Sequence, residues 1–320
     1  MRLLDCGLSE KAINTTSVVT NKIHVTQGDS DGVGLEVFFK SAIMLTHTNC
    51  DSLLLYANKN AVSNTLQGMR LSFKLYDDHV LVQGKRINTS WHNGDAFECF
   101  DSALNHIQSG DVLFTLPASK KSFPSGSPGH TSYLRARFKR DLIMFFKSGD
   151  HHIGLLTDHI PLDRVDATIT KELIVTTTKA MLYGANRFLN LAPKQVIFSG
   201  INPHAGENGV LGNDLELYTC ALQELRTIFS AIVFDGPRSG DTIYNSVDAK
   251  TWLVYAHHDQ ALAPFKAMRG FNGANITLGL DFLRLSVDHG TALDIAGKDQ
   301  ANYLGCIYCL QLAFKALGNS

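Results

Sequence analysis

Three histidines each follow an apolar stretch that predicts a β-strand. His159 lies in LLTDHIPL, His204 in FSGINPHAG and His258 in LVYAHHDQ. Ligands gather at the carboxyl ends of parallel strands. Three imidazoles at one such edge could hold a divalent transition metal and leave positions open for substrate and water. Each histidine taken singly is more simply a hydrogen-bonded or surface residue, and His257 competes with His258 for the role.

Two further groups of polar residues suit an anionic ligand. His130 and Thr131 follow a Pro-Gly turn in SPGHTSYL and can donate to phosphate, although Thr131 suits a helix N-cap equally well. Lys266, Asn275 and Arg284 combine two cations and an amide. This set suits a carboxylate or a phosphate, because arginine can bind an oxyanion with two parallel hydrogen bonds.

Three other motifs favour structural interpretations. The segment GDSDGVGLE (28–36) lacks the third glycine of GxGxxG and the GK[ST] of a P-loop, so it predicts a strand-to-helix turn. Lys120 and Lys121 end FTLPASKK and are interpreted as a solvated charge pair. Cys306 and Cys309 lie in the apolar helix NYLGCIYCLQLAFKAL, which favours buried small residues over a redox or metal half-site.

The elements that must position these residues alternate between strands and helices. Strands are predicted at KIHVTQ, DSLLLYA, VLVQGKRI, DVLFTLP, HHIGLLTD, KQVIFSGIN, AIVFDGP and TWLVYAHHDQ. Helices are predicted at LEVFFKSAIMLT, FECFDSALNHIQSG, RVDATITKELIVTTTKAMLYGANRFL and DLELYTCALQELRTIF, and another is predicted to open at Asp294 in DHGTALDIAGKDQAN. This alternation predicts an α/β fold, with a mostly parallel sheet covered by helices on both faces.

Composition narrows the class of protein. The 320 residues are 44% hydrophobic and 18% charged with a net charge of −1, which gives no global attraction for nucleic acid or an anionic membrane. No apolar run is long enough to span a bilayer, and the N-terminus lacks the pattern of a signal peptide. We therefore expect a cytoplasmic protein with a small-molecule partner.

Several segments together resemble a known family. HTSYL, TDHIPL, INPHAGENGVLG, AHHDQALAPFK and NITLGLDFLRLSVDHGTALDIAG occur in the order typical of the 4-hydroxythreonine-4-phosphate dehydrogenase family of vitamin B6 biosynthesis. GDSDGVGLE and HGTALDIAGK also resemble the isocitrate and isopropylmalate dehydrogenase group. The resemblance implies a two-domain fold with a cleft between the domains. Residues 1–135 and 270–320 would form the first domain, and residues 136–269 a central dimerisation domain.

The resemblance also implies a site shared between the two chains of a homodimer. His258 would come from the neighbouring chain, and Asp241 and Lys266 would act in catalysis. The implied metal ligands are His159, His204 and His258; the implied substrate-binding residues are His130, Thr131, Lys266, Asn275 and Arg284; and the implied adenosine-binding residues are His289, Gly290, Thr291, Ala292 and Asp294. The metal would be zinc, magnesium, manganese or cobalt.

The implied reaction is oxidation of 4-hydroxythreonine 4-phosphate by NAD or NADP, followed by loss of carbon dioxide. The chain departs from the family pattern at GDSDGVGLE, where GDPAGIGPE is usual, at Ala261, where Gly is usual, and at GNDL, where acidic residues are usual. These departures leave two alternatives open. One is a related dehydrogenase of threonate or erythronate 4-phosphate, and the other is a catalytically silent homologue that binds metal or phosphate.

Overall fold

A computed structural model describes residues 21–125 and 129–318, which form one sheet of thirteen strands. Residues 1–20 of the predicted first domain and residues 127–128 of SPGHTSYL lie outside the described residues. The strands are β1 (Ile23–Thr26), β2 (Leu53–Asn58), β3 (Phe73–Leu75), β4 (His79–Val82), β5 (Lys85–His92), β6 (Val112–Thr115), β7 (Ile143–Ser148), β8 (His151–Leu155), β9 (Gln195–Ser199), β10 (Val233–Arg238), β11 (Thr251–Tyr255), β12 (Ala274–Leu278) and β13 (Leu283–Val287).

The sheet is mostly parallel, as the alternation of elements predicts. Its order is β10-β9-β11-β8-β7-β12-β13-β6-β1-β2-β5-β4-β3. Seven of its twelve pairings are parallel, and the antiparallel ones involve β3, β4, β7 and β12. The strands of residues 136–269 lie together at one end of the sheet. The division into two domains stays a prediction.

Ten helices of the described residues accompany the sheet, and both of its faces are covered. They are α1 (Gly34–Ala42), α2 (His47–Asp51), α3 (Lys59–Gly68), α4 (Ala96–His106), α5 (His130–Phe138), α6 (Val165–Thr168), α7 (Lys171–Leu189), α8 (Asp214–Ile228), α9 (His258–Arg269) and α10 (Leu304–Ala316). Side chains of α1, α3, α7, α8 and α10 share one apolar core. Those of α4 and α5, and those of α9, form two further cores. No helix of the described ranges has the length and apolarity needed to cross a bilayer.

Strand side chains alternate between these cores. In β11, Trp252 and Val254 belong to the first core, whereas Leu253 and Tyr255 belong to the core beneath α9. All four side chains are at most 1% exposed. Strands that bury apolar side chains on both faces are typical of a sheet that is covered by helices on both sides. The predicted α/β fold is therefore confirmed.

Three local predictions are wrong. VLVQGKRI is the β4–β5 hairpin rather than one strand, because Gln83 and Gly84 form a turn with φ angles of 49° and 78°. TWLVYAHHDQ leaves the sheet after Tyr255, and α9 begins at His258, since the His257 ring nitrogen accepts the Gln260 N–H and caps the helix. The segment after Asp294 forms turns, so the helix predicted there begins only with α10.

The glycine loop GDSDGVGLE is a strand-to-helix turn, as predicted. Gly28 has φ of 70°, and a Cβ there would lie 2.2 Å from the carbonyl oxygen of Pro117. The Val33 N–H donates to the carbonyl oxygen of Thr291 at 2.9 Å. The two segments that resemble the isocitrate dehydrogenase group therefore meet in space.

Glu36 fixes the chain that enters α10. Its carboxylate is buried in α1 and accepts the backbone N–H groups of Gly297 and Ala301, both at 3.1 Å. It also pairs with Lys40 at 3.0 Å. Buried carboxylates are tolerated only when they are hydrogen-bonded or paired, so Glu36 and its donors act as one unit.

We predict that Glu36→Ala destabilises the protein by about 2–4 kcal/mol, because the buried Ala301 N–H and the partly buried Gly297 N–H lose their acceptor and Lys40 loses an ion-pair partner. Urea unfolding of the variant would measure the loss. Glu172→Ala, which removes an exposed glutamate of α7, is the control and should change stability by less than about 0.5 kcal/mol. Equal losses in the two variants would contradict the role of Glu36.

Candidate active site

A cavity of about 300 Å³ lies at the edge of the sheet where β6 and β13 end. We call it the Arg284 cavity. It brings together seven residues that the sequence nominates, which are His130, Thr131, His159, Asn275, Arg284, His289 and Gly290. The chain positions of these residues span loops, strands and a helix, so the fold is what assembles them.

Arg284 dominates the electrostatics of this cavity. It lies on β13, is only 3% exposed, and donates to Thr277 Oγ1 at 3.1 Å and Thr115 Oγ1 at 2.7 Å. Its Nε has no hydrogen-bond partner, and no carboxylate pairs with it among the described residues. Burial lowers the pKa of Arg284 to about 10, which leaves it protonated at neutral pH. A buried cation with only neutral partners favours an anionic ligand strongly.

The first turn of α5 adds positive potential to the same cavity. The helix begins at His130, and its N-cap is Gly129, which has φ of 111° and no side chain with which to cap the first amides. Gly129, His130, Thr131 and Ser132 all line the cavity. The free N–H groups and the helix dipole attract anions at such a terminus. A phosphate would therefore meet both Arg284 and these amides.

His130 is held as a neutral imidazole. Its ring packs edge-on against Phe100 and Phe123, with centroids 4.8 and 4.7 Å away. Burial lowers the pKa of His130 well below its ordinary value, and the charge of Arg284 lowers it further. A neutral ring can donate one hydrogen bond and accept another, so it can orient a ligand without adding charge.

Two of the predicted metal ligands meet in a neighbouring cavity of about 400 Å³, the histidine cavity. The ring centroids of His159 and His258 are 5.2 Å apart. Burial lowers the pKa of His159; the charge of Asp158 opposes this, and those of His258 and Lys120 add to it. Imidazole nitrogens are ligands that transition metals prefer, and this cavity holds two imidazole rings.

An ion pair joins the histidine cavity to α5. Asp158 accepts from Arg135 of α5 at 2.8 Å and from the backbone N–H of His159 at 2.9 Å. Burial alone would raise the pKa of Asp158, but the charge and hydrogen bond of Arg135 lower it overall. The helix that presents His130 and the loop that presents His159 are thus fixed relative to each other.

His204 lies apart from this pair. It follows β9, which neighbours β11 in the sheet, but it is exposed and lines a separate cavity of about 370 Å³ with Asp241. A hydrogen bond from Ser239 lowers the pKa of Asp241, and the charge of His204 contributes to the lowering. Within residues 21–125 and 129–318 of one chain, no three His, Cys, Asp or Glu side chains come close enough to hold a metal. The three-histidine site stays a prediction.

The loop that carries His204 has an unusual backbone. Six consecutive residues, His204 to Gly209, have positive φ angles between 44° and 94°. Asp214, which is buried at the start of α8, holds the loop by accepting the N–H groups of Ile201 at 2.7 Å and Asn202 at 3.0 Å. It also accepts the Asn202 side-chain amide at 2.7 Å.

The remaining predicted residues divide between the Arg284 cavity and its surroundings. Asn275 presents a buried Oδ1, and His289 a buried Nε2, with no partner among the described residues. Lys266 instead donates to the carbonyl oxygen of Asp288 at 2.6 Å. Thr291 contacts the glycine loop, as described above. Lys266, Thr291, Ala292 and Asp294 are not among the residues that line the Arg284 cavity.

Lys120 is a candidate site residue that the sequence does not predict. The sequence favours a solvated charge, and the side chain is indeed exposed, but it also lines both the Arg284 cavity and the histidine cavity. The signal available in the sequence was its position just after β6, the strand that ends at the same edge as the other ligands.

Comparison with known proteins identifies the family. The model of the family "Pyridoxal phosphate biosynthetic protein PdxA" matches residues 42–313. A protein from a Sulfurihydrogenibium strain named 4-hydroxythreonine-4-phosphate dehydrogenase is 31% identical, over 91% of this chain and 97% of its own. The chain belongs to the PdxA family. The family recognised from the sequence motifs is therefore confirmed.

Solved structures agree with this assignment. A 4-hydroxythreonine-4-phosphate dehydrogenase from Burkholderia phymatum has 26% identity and a TM-score of 0.73, and the match covers 93% of this chain and 98% of that one. An isocitrate dehydrogenase from Methylococcus capsulatus, at 16% identity and a TM-score of 0.51 over 93% of this chain and 86% of that one, shares the fold. The predicted relation of the PdxA fold to that of isocitrate dehydrogenase is confirmed.

We predict that Asp214→Ala loosens the His204 loop and destabilises the protein by about 2–4 kcal/mol, because three N–H donors lose their acceptor. Urea unfolding would measure the stability, and the rate of cleavage after Glu207 by a glutamate-specific protease would measure the loosening. Glu216→Ala, an exposed position on the same helix, is the control. Unchanged cleavage in Asp214→Ala would contradict the anchoring role.

Proposed function

We propose that this protein oxidises the secondary alcohol of 4-hydroxythreonine 4-phosphate with NAD or NADP and then decarboxylates the product, in the formation of pyridoxal 5'-phosphate. The observation that carries the proposal is the buried Arg284 guanidinium, which has no carboxylate partner among the described residues and faces a cavity shared with the free first turn of α5. The names of the curated relatives supply the substrate.

The phosphate fits the cationic end of the Arg284 cavity. A phosphate dianion has enough acceptor oxygens for the guanidinium and for the first amides of α5 at once. The neutral ring of His130 and the hydroxyl of Thr131 supply further donors beside them. These contacts would hold one end of the substrate, so that its hydroxyl carbon points toward the adjoining histidine cavity. Fixed orientation of this kind lowers the barrier to reaction.

His159 and His258 fit two positions of a divalent metal site, since both rings present nitrogen donors in one cavity. We propose that the third imidazole is the partner's His204 in a homodimer, because His204 is the predicted ligand that is exposed and lies apart in its own chain. The metal could be zinc, magnesium, manganese or cobalt, and when bound it lowers the pKa of the substrate hydroxyl. This revises the expectation that His258 comes from the neighbouring chain.

We assign the nicotinamide nucleotide to the surface where residues 289–294 meet the glycine loop. His289 and Gly290 reach the Arg284 cavity, and Thr291 contacts Val33. When bound there, the nucleotide would supply the hydride acceptor. Lys266 stays a predicted participant in decarboxylation. Asp241 stays a predicted catalytic residue, and it lines the same cavity as His204. A cytoplasmic location also stays a prediction.

We predict that the purified protein reduces NAD or NADP when 4-hydroxythreonine 4-phosphate and a divalent metal are added, as followed by the absorbance of the reduced nicotinamide. Threonate and erythronate 4-phosphates are the comparison substrates. Faster reduction with one of those acids would overturn the choice of substrate. Binding of metal and phosphate without any nicotinamide reduction would support a catalytically silent homologue.

We predict that Arg284→Ala weakens substrate binding by about 30-fold or more, because a buried charge-assisted contact to phosphate is lost, and weakens nucleotide binding by less than about threefold. Calorimetry with each ligand would measure both affinities. Arg140→Ala removes an exposed arginine that pairs with Asp281 and should change neither. Equal losses for substrate and nucleotide would contradict the assignment.

We predict that His204→Ala removes bound metal and turnover without unfolding the protein, because its ring is exposed and packs against little. Metal content after dialysis against each cation, measured beside circular dichroism, would test this. His79→Ala, which changes a histidine stacked on Tyr76 away from the site, is the control. Full metal-dependent activity in His204→Ala would rule out the ligand role.

A further inference from the structure

Lys120 occupies the junction of three cavities. It lines the Arg284 cavity, the histidine cavity and a third cavity of about 590 Å³ that lies between the glycine loop, the start of α4 and Leu293. Within the described part of the chain, it is the one residue that lines all three. Its neighbour Lys121 lines only the third of these cavities.

The backbone beneath Lys120 is fixed, whereas its ammonium is free. The carboxylate of Asp29 accepts the Ser119 N–H and the Ser122 hydroxyl, both at 2.8 Å, and the Asp29 N–H donates to the carbonyl oxygen of Pro117 at 2.9 Å. These bonds clamp both sides of the turn that carries Lys120. The side chain is exposed and makes no hydrogen bond or ion pair with any residue in the described ranges.

Two cations among the described residues therefore line the Arg284 cavity, at different places. Arg284 lies deep, between Thr115 and Thr277. Lys120 lies where the cavity adjoins His159. Lys266, the lysine nominated from the sequence, is engaged with the Asp288 carbonyl outside the lining. A cavity with two separated cations suits a ligand that carries two anionic groups.

We propose that Lys120 binds the carboxylate of the substrate and so selects phosphorylated hydroxyacids over phosphorylated alcohols. The inference rests on the proposed function, in which Arg284 and α5 take the phosphate. A carboxylate at Lys120 directs the carbons between the two anionic groups past His159, which is where the hydroxyl must lie for oxidation. Lys120 is thus a substrate-binding residue that sets both specificity and orientation.

A matched pair of ligands isolates this contact. D-erythronate 4-phosphate and D-erythritol 4-phosphate differ only in a carboxylate that replaces a hydroxymethyl group. Calorimetry on the full chain with added divalent metal should show that the wild-type protein prefers the acid by about tenfold or more. Lys120→Ala should lose this preference and keep its affinity for the alcohol within about twofold. Lys120→Arg should retain most of the preference, because it keeps the cation.

The control variants separate this role from general effects. Lys121→Ala removes the neighbouring charge and should keep the preference, whereas Arg284→Ala should weaken both ligands alike. Three results would overturn the proposal. The preference for the acid could survive in Lys120→Ala, it could disappear equally in Lys121→Ala, or it could be absent from the wild-type protein. Failure of the proposed function would give a different result. The wild-type protein would bind the acid normally, but none of the substrates would reduce the nicotinamide.

Discussion

The buried charge of Arg284 is the constraint on which the rest of the site depends. Its guanidinium is satisfied in part by Thr277 on the antiparallel neighbour β12 and by Thr115 on the parallel neighbour β6. Removing a cation from water is costly unless an anion accompanies it, and hydroxyl groups supply no charge. The sheet can hold the cation because its register fixes both threonines and its faces are covered by helices. The free energy spent on burying this cation in folding is then recovered when an anionic ligand enters. Burial, together with the charge of Arg284, lowers the pKa of His130 beside it and keeps that ring neutral.

Carboxylates hold the loops around that charge. Strand residues are positioned by the hydrogen-bond ladder, but the loops at the sheet edge have no ladder of their own. Three acidic residues hold these loops instead by accepting backbone N–H groups. Asp29 binds the segment that carries Lys120, and Glu36 binds the segment that precedes α10. Asp214 binds the segment that carries His204. A buried carboxylate that accepts several backbone donors is both stable and directional, because losing any donor leaves a charge unsatisfied. The positions of Lys120, of His204 and of the segment before α10 therefore depend on three acidic residues that line neither the Arg284 cavity nor the histidine cavity.

The sequence is informative where a periodicity or a motif has one physical meaning. Apolar strands such as that ending at Tyr255 and the long helix α7 are readable because they are buried on defined faces. The residues of the Arg284 cavity are likewise predicted from strand ends and from family motifs. Gln83 escapes prediction because a non-glycine residue rarely adopts positive φ. The free ammonium of Lys120 also escapes, since its meaning depends on three cavities that meet only after the chain has folded.

The loop of His204 shows a different balance between strain and function. Four of its six consecutive positive-φ residues carry a Cβ, and each costs roughly 1–2 kcal/mol in a left-handed conformation. Asp214 offsets part of this cost, and Gly206 allows the turn to close against the Gly212 carbonyl, where a Cβ would lie 2.6 Å away. The result holds His204 outward, away from the His159–His258 pair of the same chain. Backbone strain that only moved His204 away from His159 and His258 would lower the stability of the protein without any functional gain. In the proposed homodimer, the same strain would present His204 to a second chain and would make the proposed metal site conditional on assembly, in keeping with the exposure of His204.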